Sequence, residues 1–206
     1  MTTAALATPK TRRRWLQFSL RTMMVIVLLF GCGFGWLGMK LRQAREQREA
    51  VKAIRTWQAV ATYDYELDPR QDPFTRPVPP GPSWVRGLLG DDFFAHVVIV
   101  DNVFHPVGKE IKSKMTDDGL VYLRAFPHLR ELYLRGRPFN DVGLVHLEGL
   151  TQLETLYLDA TQVTDEELVH LQGLARLKRL FLNGTKVTDA GVVELQKALP
   201  NCQIIR

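Results

Sequence analysis

The sequence predicts an α/β fold, a short solenoid of repeats preceded by a single transmembrane helix. Residues 22–39 form a run of eighteen without a charge. The C-terminal half repeats itself every 24 residues, so that Asp117 is followed by Asp141, Asp165 and Asp189. Leucines recur at matched positions between these acids. A strand and a helix in each repeat would bury their apolar faces only by stacking on their neighbours.

Charge is distributed unevenly along the chain. Residues 1–56 carry eleven Lys and Arg against two Glu, whereas residues 57–206 carry sixteen against twenty Asp and Glu. A nucleic-acid-binding surface needs positive charge concentrated on the folded part, and here that part is mildly acidic. We therefore expect no nucleic-acid partner, and we interpret the basic N-terminal tail, residues 1–21, as a membrane flank.

Residues 22–39 are predicted to form the transmembrane helix and to make this a single-pass membrane protein. They would span about 27 Å, close to the roughly 30 Å thickness of the hydrocarbon layer. Arg21 and Lys40 bracket the run, where long basic side chains can reach the headgroups. A cleaved signal peptide is the alternative. Its apolar run is usually about 7–15 residues long and ends at a small-x-small site, so a retained signal-anchor is favoured.

The orientation and the pairing of this helix are less constrained. Five Lys and Arg precede the run and six follow it, so the positive-inside count is nearly tied. A short basic N-terminus commonly stays in the cytoplasm, which makes an extracytoplasmic repeat domain the expectation. Gly31 and Gly35 could let the helix of a second copy approach closely. A weak homodimer through the glycine-rich helix is thus an alternative to glycines that are merely tolerated.

Three segments are predicted between the anchor and the repeats. Residues 40–62 contain helix formers and neither Gly nor Pro, which predicts a juxtamembrane helix. Residues 63–83 hold six prolines, which predicts an extended connector; a proline-rich ligand for a partner's aromatic groove is the alternative. Residues 84–116, with the strand-like stretch FFAHVVIVD, are expected to cap the N-terminal end of the repeat stack.

Residues 117–206 resemble the leucine-rich repeat. LTQLETLYLDATQVT and LARLKRLFLNGTKVT fit the pattern LxxLxLxxN/C-x-L, with Thr161 and Thr185 where Asn or Cys usually stands. With TDEELVHL and TDAGVVEL, they are similar to bacterial repeats of the "TDAGL" type, which resemble the cysteine-containing repeats of F-box proteins. Basic tail, anchor and repeats together are similar to planctomycete membrane-anchored repeat proteins. The resemblance implies a leucine-rich-repeat solenoid with a C-terminal cap strand.

The periodic acids are interpreted as structural. Each follows a Thr or Asn that can cap a helix, and a carboxylate in the first turn is favoured by the helix dipole. Thr164 and Glu167 have the spacing of a capping box. A catalytic or metal-binding role is the less favoured alternative.

The histidines do not form a metal or catalytic motif. His146 and His170 share one position in adjacent repeats, about 10 Å apart, which is too far for both rings to hold one ion. His96, His105 and His128 belong to no motif. Since the sequence also lacks a phosphate loop, a nucleophile elbow and HExxH, we expect no enzyme, no catalytic residue, no metal and no cofactor.

The strand face opposite the leucines is the predicted protein-binding site. Alternation along LYL sends both leucines inward and the aromatic residue outward. Strands about 4.8 Å apart would stack these aromatic residues in a ladder, and exposed aromatics beside Arg are typical of protein-binding hot spots. The alternative is that the rings only shield the sheet. The predicted binding residues are Tyr133, Arg135, Tyr157, Asp159, Arg179, Phe181 and Asn183.

The predicted function is a membrane-anchored scaffold that binds an unknown protein or peptide through this face. The alternative is a small non-catalytic regulatory or recruitment subunit of a membrane complex. Such a subunit would use the anchor and residues 41–61 more than the repeats.

Overall fold

The chain is a mixed α/β protein with an N-terminal apolar helix and a six-stranded sheet. It divides into two compact units, Met1–Met39 and Lys40–Arg206. The structure is a computed structural model. The residues it describes are 20–56, 59–69, 77–101, 117–136 and 143–206.

Helix α1 (Leu20–Thr56) begins with an exposed apolar segment. Leu29 and Phe34, for example, are each 67% exposed, although large apolar side chains of a folded protein are normally buried. Within the described residues, α1 is the one helix long and apolar enough to cross a membrane. A signal sequence near the N-terminus would have the same length and composition.

The C-terminal part of α1 packs into the second unit. Its buried positions recur every three or four residues, as expected for one face of a helix. The juxtamembrane helix predicted for residues 40–62 ends at Thr56 instead, and Val60–Tyr63 forms strand β1. The buried positions are Ala44, Gln47, Ala50, Val51 and Ile54.

The six strands lie in one sheet in chain order. The first two are antiparallel, and every later strand is parallel to the one before it. Leu132 aligns with Leu156 and Leu156 with Leu180, which is the 24-residue spacing of the sequence repeat. The strands after β1 are β2 (Val97–Asp101), β3 (Glu131–Tyr133), β4 (Thr155–Tyr157), β5 (Arg179–Phe181) and β6 (Gln203–Ile205).

The helical segments of the repeats are shorter and tighter than predicted. An α-helix was expected in each repeat, but two described repeats contain only 3₁₀ helices, at Leu144–Leu147 and Glu167–Leu171. The other segments are α3 (Asp117–Leu120), a 3₁₀ helix at Val121–Ala125 and α4 (Asp189–Ala198).

The segment between β1 and the repeats departs from a purely extended connector. A 3₁₀ helix at Asp64–Leu67 follows β1, residues 77–82 form neither helix nor strand, and α2 begins at Ser83 (Ser83–Leu89). A second 3₁₀ helix, Asp91–Phe93, precedes β2. Residues 70–76 and 102–116, which include parts of the predicted connector and cap, lie outside the described residues.

One continuous leucine core runs through the second unit. The strand leucines and the 3₁₀ leucines meet inside it, at 0% exposure for most of them. Ile54 of α1 and Val97 and Val100 of β2 belong to the same core. The C-terminal part of α1 and β1, which come from further upstream than the predicted cap, therefore also contribute to this core.

Candidate functional site

The outward side chains of β3, β4 and β5 form a stacked aromatic ladder. The ring centroids of Tyr133 and Tyr157 lie 4.4 Å apart with an angle of 10° between the planes. Those of Tyr157 and Phe181 lie 4.2 Å apart at 8°. The strand register aligns the three rings, while the leucine before each ring is in the core. Because each ring covers the face of its neighbour, the ladder offers mainly ring edges and hydroxyl groups to a partner.

A chain of polar contacts runs beside the ladder. The Arg135 guanidinium carbon lies 4.1 Å from the Tyr157 ring centroid, and its Nε forms an ion pair with Asp159 Oδ2 at 3.2 Å. Asp159 Oδ1 accepts two hydrogen bonds from Asn183. The side-chain amide of Asn183 donates at 2.7 Å and its backbone N–H at 3.1 Å. These three residues occupy the same position in successive repeats, so the contacts tie the repeats together.

Arg179 lies at the start of β5, on the same face as the ladder. Its Nη2 donates to Thr155 Oγ1 at 3.1 Å and its Nε to the same oxygen at 3.3 Å. Thr155 points outward but is only 2% exposed. The structure thus places all seven predicted binding residues on one face. Six of them form a connected chain of direct contacts. Arg179 lies in the same strand as Phe181 and contacts Thr155, which lies in the same strand as Tyr157.

Tyr133 has an acidic neighbour at the start of the ladder. Its hydroxyl donates to Glu131 Oε2 at 2.8 Å. Burial and this hydrogen bond to a carboxylate raise the pKa of Tyr133 above its ordinary value. The phenol therefore remains neutral throughout the physiological pH range, and its position is held by the carboxylate.

A groove that the sequence reasoning missed lies at the N-terminal ends of the strands. We call it the cross-strand groove: it has a volume of about 810 Å³, is walled by the 3₁₀ helix Asp64–Leu67 and Pro80, and is floored by residues 130–131, 154–155 and 178–179. Inside it, Lys178 Nζ lies 2.6 Å from Glu154 Oε2, and this contact lowers the pKa of Glu154. The wall comes from a segment outside the repeats, so no repeat pattern could have indicated the groove.

Two histidines without a sequence motif meet in the folded chain. The ring centroids of His96 and His128 are 4.1 Å apart. His170, by contrast, contacts a carboxylate, with Nδ1 2.6 Å from Glu148 Oε1. In the part of the chain that the structure describes, no group of three His, Cys, Asp or Glu residues is arranged to hold a metal ion.

Some solved structures are similar to part of this chain. No model of a protein family matches the sequence, and no curated protein matches it. An internalin from Listeria monocytogenes, a leucine-rich-repeat protein, is similar to this chain with 20% sequence identity and a TM-score of 0.32. The similarity covers 42% of this chain and 30% of the internalin chain.

Proposed function

We propose that this protein is a single-pass membrane protein with a leucine-rich-repeat solenoid of the bacterial "TDAGL" type. In this proposal it catalyses no reaction, and it binds another protein through the strand face. The exposed apolar start of α1 supports the anchor. Parallel strands at a 24-residue spacing support the repeat architecture.

The observation that carries the binding proposal is the aromatic ladder with Arg135 lying across it. Tyr and Arg are enriched among the residues that contribute most to protein–protein affinity. Stacking, the ion pair with Asp159 and the hydrogen bonds of Asn183 already order these side chains. A partner that docks here would therefore lose little side-chain entropy on binding.

The burial of α1 favours the strand face over the alternative of a recruitment subunit. Ala44, Ala50 and Ile54 are at most 4% exposed, so one face of the juxtamembrane segment is already occupied by the second unit. A partner could reach only the opposite, charged face of that segment. The strand face has no such competitor among the described residues.

The binding proposal is tested with the double variant Tyr157→Ala, Phe181→Ala in the full-length protein. A hot-spot truncation costs about 2 kcal/mol or more, so either change alone should weaken partner capture by at least about thirtyfold and the pair by more. Capture is measured by crosslinking in intact cells and mass spectrometry, and folding by circular dichroism. The matched control is Tyr122→Ala, which removes an aromatic ring that is 42% exposed on the 3₁₀ side. Undiminished capture by the folded double variant would rule out this face.

The anchor and its orientation have a separate test. The full-length protein should remain in the membrane fraction after alkaline extraction, and protease added to intact spheroplasts should digest the repeat unit. Release of a shortened protein by cleavage after residue 39 would overturn the signal-anchor in favour of a signal peptide. Protection of the repeats from protease would place them in the cytoplasm instead.

A further inference from the structure

Helix α2 directs its largest apolar side chains away from the protein. Trp84 is 75% and Leu88 is 78% exposed, more than any other large apolar side chain in the described residues. They stand four residues apart and lie on one face of the helix, with Gly87 between them. A Cβ at Gly87 would meet nothing within 4 Å, so this face is open. A helix packed on a core normally directs such side chains inward, whereas here the half-buried residues include Val85 and Leu89.

Both ends of α2 are held by the second unit. The carbonyl oxygen of Leu89 accepts a hydrogen bond from Arg48 Nη2 at 3.2 Å. Gly81, two residues before the helix, lies against the ring of Phe94, because a Cβ there would be 3.2 Å from that ring. The exposed face of α2 is therefore presented at a fixed place on the unit.

The start of β2 lies at the end of the second unit that is nearer to Lys40. Gln47 Nε2 of α1 donates to the carbonyl oxygen of Ala95, just before β2, at 2.9 Å. Ile54, further along α1, accepts a hydrogen bond from the N–H of Ala59 at 3.3 Å, and the strand that follows Ala59 begins opposite the far end of β2. Hence α1 and β2 run in the same direction, and the start of β2 lies about 10 Å along α1 from Lys40.

Helix α2 begins close to this end of the unit. Pro80 lies beside the 3₁₀ helix Asp64–Leu67 in the wall of the cross-strand groove. The N–H of Asp64 donates to the carbonyl oxygen of His96, just before β2, at 2.9 Å. Trp84, in the first turn of α2, therefore belongs to the same end of the unit.

The proposed anchor places a bilayer surface beside this end. Lys40 is the first charged residue after the apolar run. The hydrocarbon core is about 30 Å thick, and the headgroups add about 5–8 Å on each side. An end of the unit about 10 Å along α1 from Lys40 is then just above the headgroups, within reach of a large side chain that projects from it. Trp is enriched at this depth, because its ring is apolar and its N–H is polar.

The charge of the neighbouring part of α1 favours the same contact. Residues 40–48 carry four Lys and Arg against one Glu. Arg42 and Arg45 are exposed, and guanidinium groups form strong hydrogen bonds with phosphates. Phosphate groups at the bilayer surface would therefore attract this end of the unit.

We propose that the exposed face of α2, formed by Trp84, Gly87 and Leu88, docks on the lipid headgroups of the bilayer that α1 spans and inserts its two apolar side chains there. The inference rests on the proposed function, because it needs α1 in a membrane. Such a second contact restricts tilting of the repeat unit, and it thereby fixes the direction in which the aromatic ladder meets a partner.

Quenching of a fluorophore by labelled lipid tests the docking in the full-length protein. Cys32→Ser leaves Cys202, which is buried, and a new cysteine then carries an environment-sensitive fluorophore. The label sites are Gly87→Cys on the α2 face, Met39→Cys at the end of the apolar run and Ala190→Cys on α4. Each protein is reconstituted in phosphatidylcholine liposomes, with or without a nitroxide near the headgroup end of one acyl chain.

The three labels should respond differently to the nitroxide. Those at residues 87 and 39 should each lose at least about half of their fluorescence, because both would lie at the boundary between headgroups and acyl chains. The label at residue 190 should be unaffected. Ala190 is exposed in the last repeat and follows the end of β5 that points away from Lys40.

The reference label separates failure of the docking from failure of the anchor. Quenching at residue 39 without quenching at residue 87 would overturn the docking and leave the anchor intact. Absence of quenching at residue 39 would overturn the anchor and the docking with it. Equal quenching at all three sites would also overturn the docking, because α2 would then have no special proximity to the lipid.

Removal of the apolar side chains supplies an independent test. Trp84→Ser with Leu88→Ser, in the protein labelled at residue 87, should abolish quenching there, while the reference label stays quenched. The matched control is Val169→Ser with Val193→Ser, which removes two apolar side chains that are also exposed and should change neither signal. All four positions are on the surface, and circular dichroism checks that the variants fold. Undiminished quenching at residue 87 in the folded Trp84 and Leu88 variant would contradict the proposal.

Discussion

Asp165 holds two neighbouring repeats together. Its carboxylate accepts hydrogen bonds from the backbone N–H and the hydroxyl of Thr188, at 2.7 and 2.6 Å. The Thr188 hydroxyl bond and the Thr188 N–H bond lower the pKa of Asp165. Thr188 in turn caps α4 by accepting from the N–H of Gly191 at 3.3 Å. The expected first-turn role of this acid in its own repeat is thus replaced by a link to the next one.

Gly191→Ala should test this link, because its effect on the free energy of unfolding should change sign when the Asp165 side chain is removed. A Cβ at residue 191 would overlap the Asp165 carboxylate, so the variant should lower the free energy of unfolding by about 1–3 kcal/mol. In an Asp165→Gly background the obstacle is gone, because both the carboxylate and the Cβ of residue 165 are removed. Alanine should then stabilise α4 by up to about 1 kcal/mol through its higher helix propensity.

Urea unfolding followed by circular dichroism measures both changes. Gly173→Ala is a control, because a Cβ there meets nothing within 4 Å. The link to Asp165 is refuted by an equal effect of Gly191→Ala in the two backgrounds.

The threonines at the usual Asn or Cys position bond within their own repeats. Thr161 is 0% exposed, and its hydroxyl donates to the carbonyl oxygen of Leu158 at 2.7 Å. Thr185 makes the same bond to Leu182, also at 2.7 Å. One hydroxyl satisfies one carbonyl within its own repeat, so the polar links between repeats come from other side chains, among them Asp159 and Asp165.

His96 should make the stability of the second unit depend on pH. Burial, and then the proximity of His128, lower the pKa of His96, while Asp64 opposes and Lys40 adds to this effect. The unfolded chain therefore takes up a proton near pH 6.5 that the folded chain resists. The contribution of neutral His96 to the stability of the folded unit is fully present above that pH and is lost as the pH falls below it.

The variant His96→Gln isolates this contribution. The melting temperature of the wild type should fall more between pH 7 and pH 5.5 than that of the variant, because glutamine does not titrate. The absolute melting temperature of the variant can be lower at every pH, since the ring contact with His128 is lost. Parallel pH profiles of the two proteins would contradict the assignment.

At the scale of the element, the turns after β3, β4 and β5 each contain a left-handed residue. Gly136, Ala160 and Gly184 have φ values of 68°, 56° and 68°, and they follow one another at the 24-residue period. Glycine adopts this conformation without cost, whereas a residue with a Cβ is strained there. The second of these turns therefore contains an unfavourable residue.

Ala160→Gly should raise the free energy of unfolding by up to about 1 kcal/mol. Relief of the left-handed strain, about 1–2 kcal/mol, exceeds the greater entropy that glycine has in the unfolded chain. Chemical denaturation gives the value. The control Ala175→Gly changes an exposed residue whose φ is not positive, and it should lower stability. A loss of stability in both variants would show that the turn at residue 160 is unstrained.

At the scale of the whole molecule, α1 is part of the repeat unit from Lys40 onwards. Gln47 Nε2 donates to the carbonyl oxygen of Ala95 at 2.9 Å, and Arg48 Nε donates to Asp92 Oδ2 at 3.0 Å. Tyr63 donates to the other oxygen of Asp92 at 2.8 Å. The part of α1 from Lys40 onwards therefore closes one end of the leucine core.

Ile54→Ala should show that this cap stabilises the repeats. Ile54 is 0% exposed, and truncation of a buried isoleucine costs about 2–5 kcal/mol. The free energy of unfolding, measured by urea in micelles, should fall by that amount, and the amide hydrogens of β2 should exchange faster than those of β5. Lys52→Ala, an exposed change on the same helix, is the control. A repeat unit as stable as the wild type would mean that it folds independently of α1.

The sequence alone determined those features that depend on its period. Alternation within a strand sends Leu132, Leu156 and Leu180 inward and the residues after them outward, and a constant spacing of 24 residues aligns them in the sheet. The parallel strands, the leucine core and the aromatic ladder follow from these two rules. That the ladder binds a protein stays a prediction, because the same stacking also stabilises a sheet.

Only the tertiary structure decided the features that join segments without a common period. The pairing of β1 with β2 brings Asp64 and Asp68 to the repeats and creates the cross-strand groove. The same segments bring His96 to His128 and close the core with Ile54. A repeat pattern predicts contacts between residues at one fixed separation in the sequence. These contacts instead join α1, β1 and β2 to the first repeat, and their geometry is set by side-chain packing over the whole unit.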